Sequence, residues 1–248
     1  MTAAFEAAVA DIGMPDHWSW RVEVRSRRTL GLDVLPDGSI VIAVPRAADP
    51  GEVARTVRSR RLWLANALQR RAALAAEHPA KEIVDGEGFA YLGRNYRLLL
   101  VDGEGEGVKL RGGWLRLYRP VDEQTGASAV VDWYTAQGQR WLTGRVRGWA
   151  GRIGVPVPRV SVLELGTRWG RRNRDGSVTF HWAVMQLQSD LVDLVVVHEL
   201  VHLVAPHHDS EFRTRLLLAL PDAERLEACL ADNGRQVWIG AVRAARRD

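Results

Sequence analysis

The 248 residues carry 34 basic and 30 acidic side chains, a net charge of +4, and 46% hydrophobic residues. That balance is ordinary for a soluble globular chain of one large domain or two small ones. A membrane span is excluded because the longest apolar run, 191–205, is broken by Asp193, His198, Glu199 and His202. Cys229 stands alone, which excludes an intrachain disulfide and a cysteine zinc cluster. Residues 1–17 contain Glu6, Asp11 and Asp16 and lack a basic start, so a secretory signal is not expected and the cytoplasm is. Arginine supplies 32 of the 34 basic residues. With so much Ala, Gly and Val alongside, this reads first as compositional bias and a solvated surface, and only second as a nucleic-acid footprint.

In chain order, residues 1–17 read as a short helix or arm. Alternation then begins: Trp20, Val22 and Val24; Leu30, Leu32 and Val34; Ile40, Ile42 and Val44. With Pro36-Asp37-Gly38 as a turn, a small antiparallel meander is expected. Asp49-Pro50-Gly51-Glu52 opens one long helix, with aspartate as cap and proline at the first helical position. Its apolar stripe runs Val53, Val57, Leu64, Leu68 and Ala72, leaving Arg55, Arg58, Arg61 and Arg70 to water. Short strands follow over 89–92, 96–101, 108–110 and 114–118. Gly103, Gly105 and Gly107 precede a strand rather than a helix, so they are no phosphate loop. Residues 130–152 place Trp133, Tyr134, Trp141, Leu142, Val146 and Trp149 at helical spacing, which favours core packing over a ligand box. Strands are expected over 160–165 and 177–184, the second presenting its edge to an extended peptide. Helices beginning near Asp209 and Pro221 close the chain.

The chemistry concentrates between Leu191 and His208. A helix apolar nearly all round belongs in a core, yet this one contains His198, Glu199 and His202. Two histidines four residues apart lie one turn from each other on one helical face, and Glu199 lies beside them. That spacing suits one Zn²⁺ bound by two imidazoles, with the glutamate acting on a water at the metal. Ser189 is the expected N-cap, Asp190 and Asp193 suit the positive end of the helix dipole, and Pro206 stops the helix at Ala205. His208 follows His202 at the third-ligand spacing of extended HExxH sites, with Pro206 in place of a glycine at the turn. Satisfied core histidines are the competing reading, and the third histidine weighs against it.

Together with Arg168-Trp169-Gly170, the strand after it and Phe212, this stretch resembles the YgjP-like metallopeptidase family, a zincin group distantly similar to SprT-like proteases. Arg27-Arg28, Pro36-Asp37-Gly38, Val44-Pro45-Arg46, Trp63 and Leu92-Gly93-x-x-Tyr96 extend the resemblance over roughly residues 20–235. It implies that His198, His202 and His208 ligate the metal and that Glu199 is the general base. The family commonly follows Arg-Trp-Gly with Ser-Cys, where this chain has Arg171-Arg172. It usually has asparagine before the third histidine, where this chain has His207.

The expected architecture is α+β. An N-terminal arm covers 1–17, and a strand-rich N-terminal subdomain with one long helix covers 18–120. A helical connection and a C-terminal zincin-like subdomain with the HExxH helix cover 121–248. The expected function is zinc-dependent hydrolysis of polypeptides, with Arg168, His181 and His207 as candidates to bind substrate and stabilise an oxyanion. A nucleotide pyrophosphatase is the first rival, since guanidinium forks at Arg168, Arg171, Arg172 and Arg174 suit phosphates and the family has a proposed link to phosphoanhydride hydrolysis. A non-catalytic, zinc-stabilised nucleic-acid-binding module is the second.

Overall fold

The computed structural model describes residues 2–34, 39–103 and 105–243, leaving out the side chains of 70–77. It divides into two compact units, residues 1–76 and 77–248.

In the N-terminal unit, helix α1 (Thr2–Ala10) buries Phe5 and Val9. Strands β1 (Trp20–Arg25), β2 (Gly31–Val34) and β3 (Ile40–Pro45) form a sheet in the order β1-β3-β2. The expected antiparallel meander holds for β2 against β3 alone. β1 lies parallel to β3, with Trp20 opposite Ile40 and Arg25 opposite Pro45. The reason lies in β3, whose Ile40 to Val44 are all buried: a strand apolar on both faces takes the centre of a sheet. The Pro36-Asp37-Gly38 turn lies outside the described residues. Asp49 caps α2 (Pro50–Ser59), its Oδ1 accepting the Glu52 N–H at 2.9 Å. The long helix expected here is broken at Arg60, whose N–H divides between the carbonyls of Thr56 and Val57, and α3 (Arg61–Glu77) begins beyond it. Val53, Val57 and Leu64 are buried and Leu68 packs against them, while Arg55, Arg58 and Arg61 are exposed.

The C-terminal unit opens with β4 (Gly88–Tyr91), β5 (Arg94–Val101), β6 (Val108–Arg111) and β7 (Trp114–Tyr118), in the order β4-β5-β7-β6. Helix α4 (Glu123–Ile153) starts on the Asp122 cap and ends at Gly154, which takes the left-handed conformation (φ 79°) that glycine adopts freely. Its Trp133, Tyr134, Leu142, Val146 and Trp149 are buried, as core packing at helical spacing requires.

A second sheet joins β8 (Val160–Leu163), β9 (Gly170–Arg172) and β10 (Val178–His181) in the order β8-β10-β9. The strand expected over 177–184 ends at His181 and passes into a 3-10 turn, Trp182–Gln186. It is also the central strand, parallel to β8 on one side and antiparallel to β9 on the other, with all four residues buried. β10 therefore offers no free edge, and that role falls to β9. Helices α5 (Ser189–Val201), α6 (Ser210–Ala219) and α7 (Ala223–Gly234) follow. The fold is α+β, rich in strands toward the N-terminus and helical toward the C-terminus. Among the described residues, no helix is long and apolar enough to cross a membrane.

Candidate metal centre

Helix α5 is buried from Leu191 to Val197. Its one charged residue there, Asp193, serves α4 rather than the helix dipole. The carboxylate receives the Arg145 fork through Nε and Nη2, and the Trp149 indole N–H at 2.9 Å. This tie fixes α4 against α5 five residues before His198. The N-cap position falls to Gln188, which makes no side-chain capping bond, rather than to Ser189.

The α-helix ends at Val201, but tight turns carry the chain on to Ala205, with His202 N–H donating to His198 O at 3.3 Å and Ala205 N–H to Val201 O at 2.8 Å. His202 keeps right-handed geometry (φ −61°, ψ −16°), so its ring stays one turn from His198. Its Nδ1 lies 3.2 Å from the Ala205 carbonyl. Only a ring N–H bonds a carbonyl, so Nδ1 carries the proton and Nε2 a bare lone pair. After Pro206 the chain brings in His208. The three Nε2 atoms lie 3.2 Å (198 to 202), 3.1 Å (202 to 208) and 3.0 Å (198 to 208) apart. Asp209 caps α6 by accepting the Phe212 N–H at 3.0 Å. That places the Phe212 ring 4.9, 4.6 and 4.7 Å from the rings of His198, His202 and His208, a floor beneath all three.

These residues fit a metal on their own chemistry. A neutral imidazole nitrogen is either an N–H or a lone pair, and three mutual neighbours cannot all be matched donor to acceptor. One pair is always alike, and a cation receiving three lone pairs removes the conflict. Tetrahedral zinc with nitrogens at about 2.0–2.1 Å separates them by about 3.3 Å, close to the spacing found. Burial, then the neighbouring His202 and His208, push the His198 pKa down to about 4. Burial also leads the lowering at His202. Both imidazoles are thus neutral near pH 7, as ligands must be.

Glu199 is 6% exposed. Burial pushes its pKa up to about 7, against the opposing pull of the Arg172 backbone N–H, which it accepts, and of the Arg168 charge. Strand β9 closes over this carboxylate at Gly170, where a Cβ would stand 2.8 Å from Glu199 Cγ and 2.9 Å from Oε1. Sequence reasoning missed Gly170, the Arg172 amide and the Ala205 carbonyl as parts of the site. The Arg168-Trp169-Gly170 signature was the one signal for the first two.

The other expected site residues divide. Arg168 is exposed and within electrostatic reach of Glu199. His207 is exposed and acts on His202 through its charge, outside the three-ring cluster. His181 is not brought to the cluster. It is 2% exposed, its Nδ1 accepts the Ala183 N–H at 3.0 Å, and its Nε2 donates to Glu164 Oε1 at 3.1 Å. Both ring nitrogens are spent on capping the 3-10 turn and holding Glu164.

An HExxH helix followed by a third histidine, set in an α+β fold, defines the class of metal-dependent hydrolases to which metallopeptidases belong. The sequence model of the YgjP-like metallopeptidase domain matches residues 28–233, and the chain belongs to that family. Among solved structures, the metallopeptidase zymogen of Pyrococcus abyssi abylysin is similar at 21% identity, over 39% of this chain and 99% of that one, with a TM-score of 0.35. No curated protein matches.

Proposed function

We propose that this protein is a zinc-dependent metallopeptidase in which His198, His202 and His208 hold the metal and Glu199 is the general base. The observation that carries the reading is the convergence of three imidazole nitrogens next to a buried carboxylate. Zinc held by three histidines leaves a fourth position for water and lowers that water's pKa to about 7. Glu199 would take a proton there and deliver it to the leaving amine, a role suited by its own pKa of about 7. The Arg172 amide and the close approach of Gly170 hold the carboxylate in one place while it does so. Arg168, exposed and near Glu199, is the preferred oxyanion stabiliser, with His207 as the alternative. A polypeptide would lie along β9, the edge strand beside α5, adding a strand by main-chain hydrogen bonds.

The pyrophosphatase reading rests on Arg168, Arg171, Arg172 and Arg174, all exposed and forming no ion pair among the described residues, although the Arg168 charge reaches Glu199. The purely structural reading is weaker. Structural zinc is closed by four protein ligands, whereas His207 lies outside the cluster and Glu211 is engaged by Arg215 at 2.8 Å. A direct assay separates these readings. Zinc-loaded protein is expected to cleave casein and unfolded polypeptides and to leave nucleoside triphosphates intact. Pyrophosphate release without peptide cleavage, abolished by Arg171→Ser, Arg172→Ser and Arg174→Ser together, would replace the peptidase reading. Zinc binding with neither activity would favour the structural one.

A further inference from the structure

We propose that the N-terminal unit carries a second binding site, a groove of about 630 Å³ that takes the phosphate backbone of a nucleic acid. Arg25, Arg27 and Arg28 enter it from the end of β1 and the loop beyond, and Arg46 from the end of β3. The groove thus lies outside the carboxyl ends of two parallel strands, the place where open sheets with parallel strands commonly receive ligands. Arg25 is engaged by Glu23, its Nε at 2.9 Å from Oε2. Arg27, Arg28 and Arg46 are exposed and have no carboxylate partner among the described residues. The carboxylates on the wall are already in use: Asp49 Oδ1 caps α2, and Glu52 binds Arg55. Gly31 leaves room for Arg27, since a Cβ at that residue would stand 2.3 Å from Arg27 Nη1.

The N-terminal unit, residues 1–76, holds 11 arginines against eight carboxylates, +3, while the rest of the chain sums to +1. Four of those 11 arginines line the groove. Guanidinium forks match phosphate oxygens two at a time. The groove is large for a single phosphate group, and its arginines arrive from two separate segments, which suits successive phosphates. Among the described residues no aromatic side chain lines it, so contact falls on the backbone rather than on stacked bases, independent of sequence. A nucleic acid presents phosphates at a set spacing, whereas an acidic peptide would have to immobilise a flexible side chain for every carboxylate.

Binding of the full-length protein to a fluorescent oligonucleotide, single-stranded and duplex, tests this between about 50 and 200 mM salt. The variant Arg27→Ser, Arg28→Ser and Arg46→Ser is expected to weaken binding about tenfold or more and to lower the log–log salt slope by about 3. Its zinc content and hydrolytic turnover should match the parent. Arg58→Ser, Arg60→Ser and Arg61→Ser remove equal charge outside the groove and should weaken binding far less. Absence of binding at about 50 mM salt overturns the proposal, and equal weakening by the two variants reduces it to net charge. Displacement by polyglutamate at equal charge would make the ligand an acidic polypeptide. Displacement by low concentrations of ATP or inorganic phosphate would make it a small molecule. Either result overturns the nucleic-acid assignment.

Discussion

Gly170 and Glu199 touch across the gap between β9 and α5 so closely that any side chain at 170 would displace the carboxylate: a Cβ would stand 2.8 Å from Glu199 Cγ and 3.1 Å from Cδ. Both atoms belong to a side chain held among buried neighbours, so the collision cannot be relieved by a swing into solvent. Gly170→Ala is expected to leave zinc stoichiometry unchanged and to cut turnover about 100-fold, the usual penalty for a catalytic group misplaced by about 1 Å. Elemental analysis and kinetics on one preparation decide it. Loss of zinc with the activity would mean that β9 supports the ligands rather than the base.

Glu199→Gln keeps shape and removes the ability to accept a proton. Retained zinc and a turnover loss of at least about 100-fold are expected. The metal-free protein adds a pH signature. Burial holds the Glu199 pKa at about 7 in the folded state, above the ordinary 4.5. The unfolded chain gives up this proton first, so the destabilising cost is absent below 4.5, grows through the interval and is complete above 7. Chelated Glu199→Gln should therefore gain stability over the chelated parent as pH rises from about 5 to 8. A constant difference across that range would show that the carboxylate is not desolvated in solution.

The third ligand is tested by contrast between neighbours. His208 Nε2 lies 3.0 and 3.1 Å from the other two Nε2 atoms, while His207 stands outside the cluster. His208→Ala should lose most of the zinc and melt at a lower temperature, since metal binding contributes folding free energy. His207→Ala should retain both. The reverse pattern would transfer the ligand to His207.

Asp193 is a structural counterpart to these. Asp193→Ala leaves the Trp149 N–H buried without its acceptor and is expected to cost about 1–3 kcal/mol in chemical denaturation. Asp193→Asn restores an acceptor and should recover part of the loss. Because Arg145 is itself 44% exposed, its freed charge turns to water at small cost. If alanine and asparagine were equally tolerated, the tie between α4 and α5 would be unimportant.

What could be read from the chain depended on distance along it. His198, Glu199, His202 and His208 fall within eleven consecutive residues, where helix periodicity and one proline turn determine who meets whom. The capping of α2 by Asp49 and the buried aromatics of α4 were legible for the same reason. β9 was not, because Gly-Arg-Arg has no apolar alternation, and its strand character comes wholly from pairing with β10. The parallel pairing of β1 with β3 was equally hidden, since both strands alternate and neither pattern encodes direction. His181 was a candidate to bind substrate, yet β10 is central and buries every one of its residues. Arg168-Trp169-Gly170 marked the right place without disclosing its geometry, in which the absence of a side chain is the contribution.

All three donors of the cluster are imidazoles, and none is a thiolate. Peroxide and disulfide exchange act on sulfur, so they find nothing to modify in this ligand set, and the lone cysteine stands apart at Cys229 on α7. Protons are another matter, because each imidazole that takes one ceases to be a ligand. A metal held by these three imidazoles would therefore be indifferent to thiol redox conditions and vulnerable to acid, the opposite of a cysteine-bound zinc under oxidative stress.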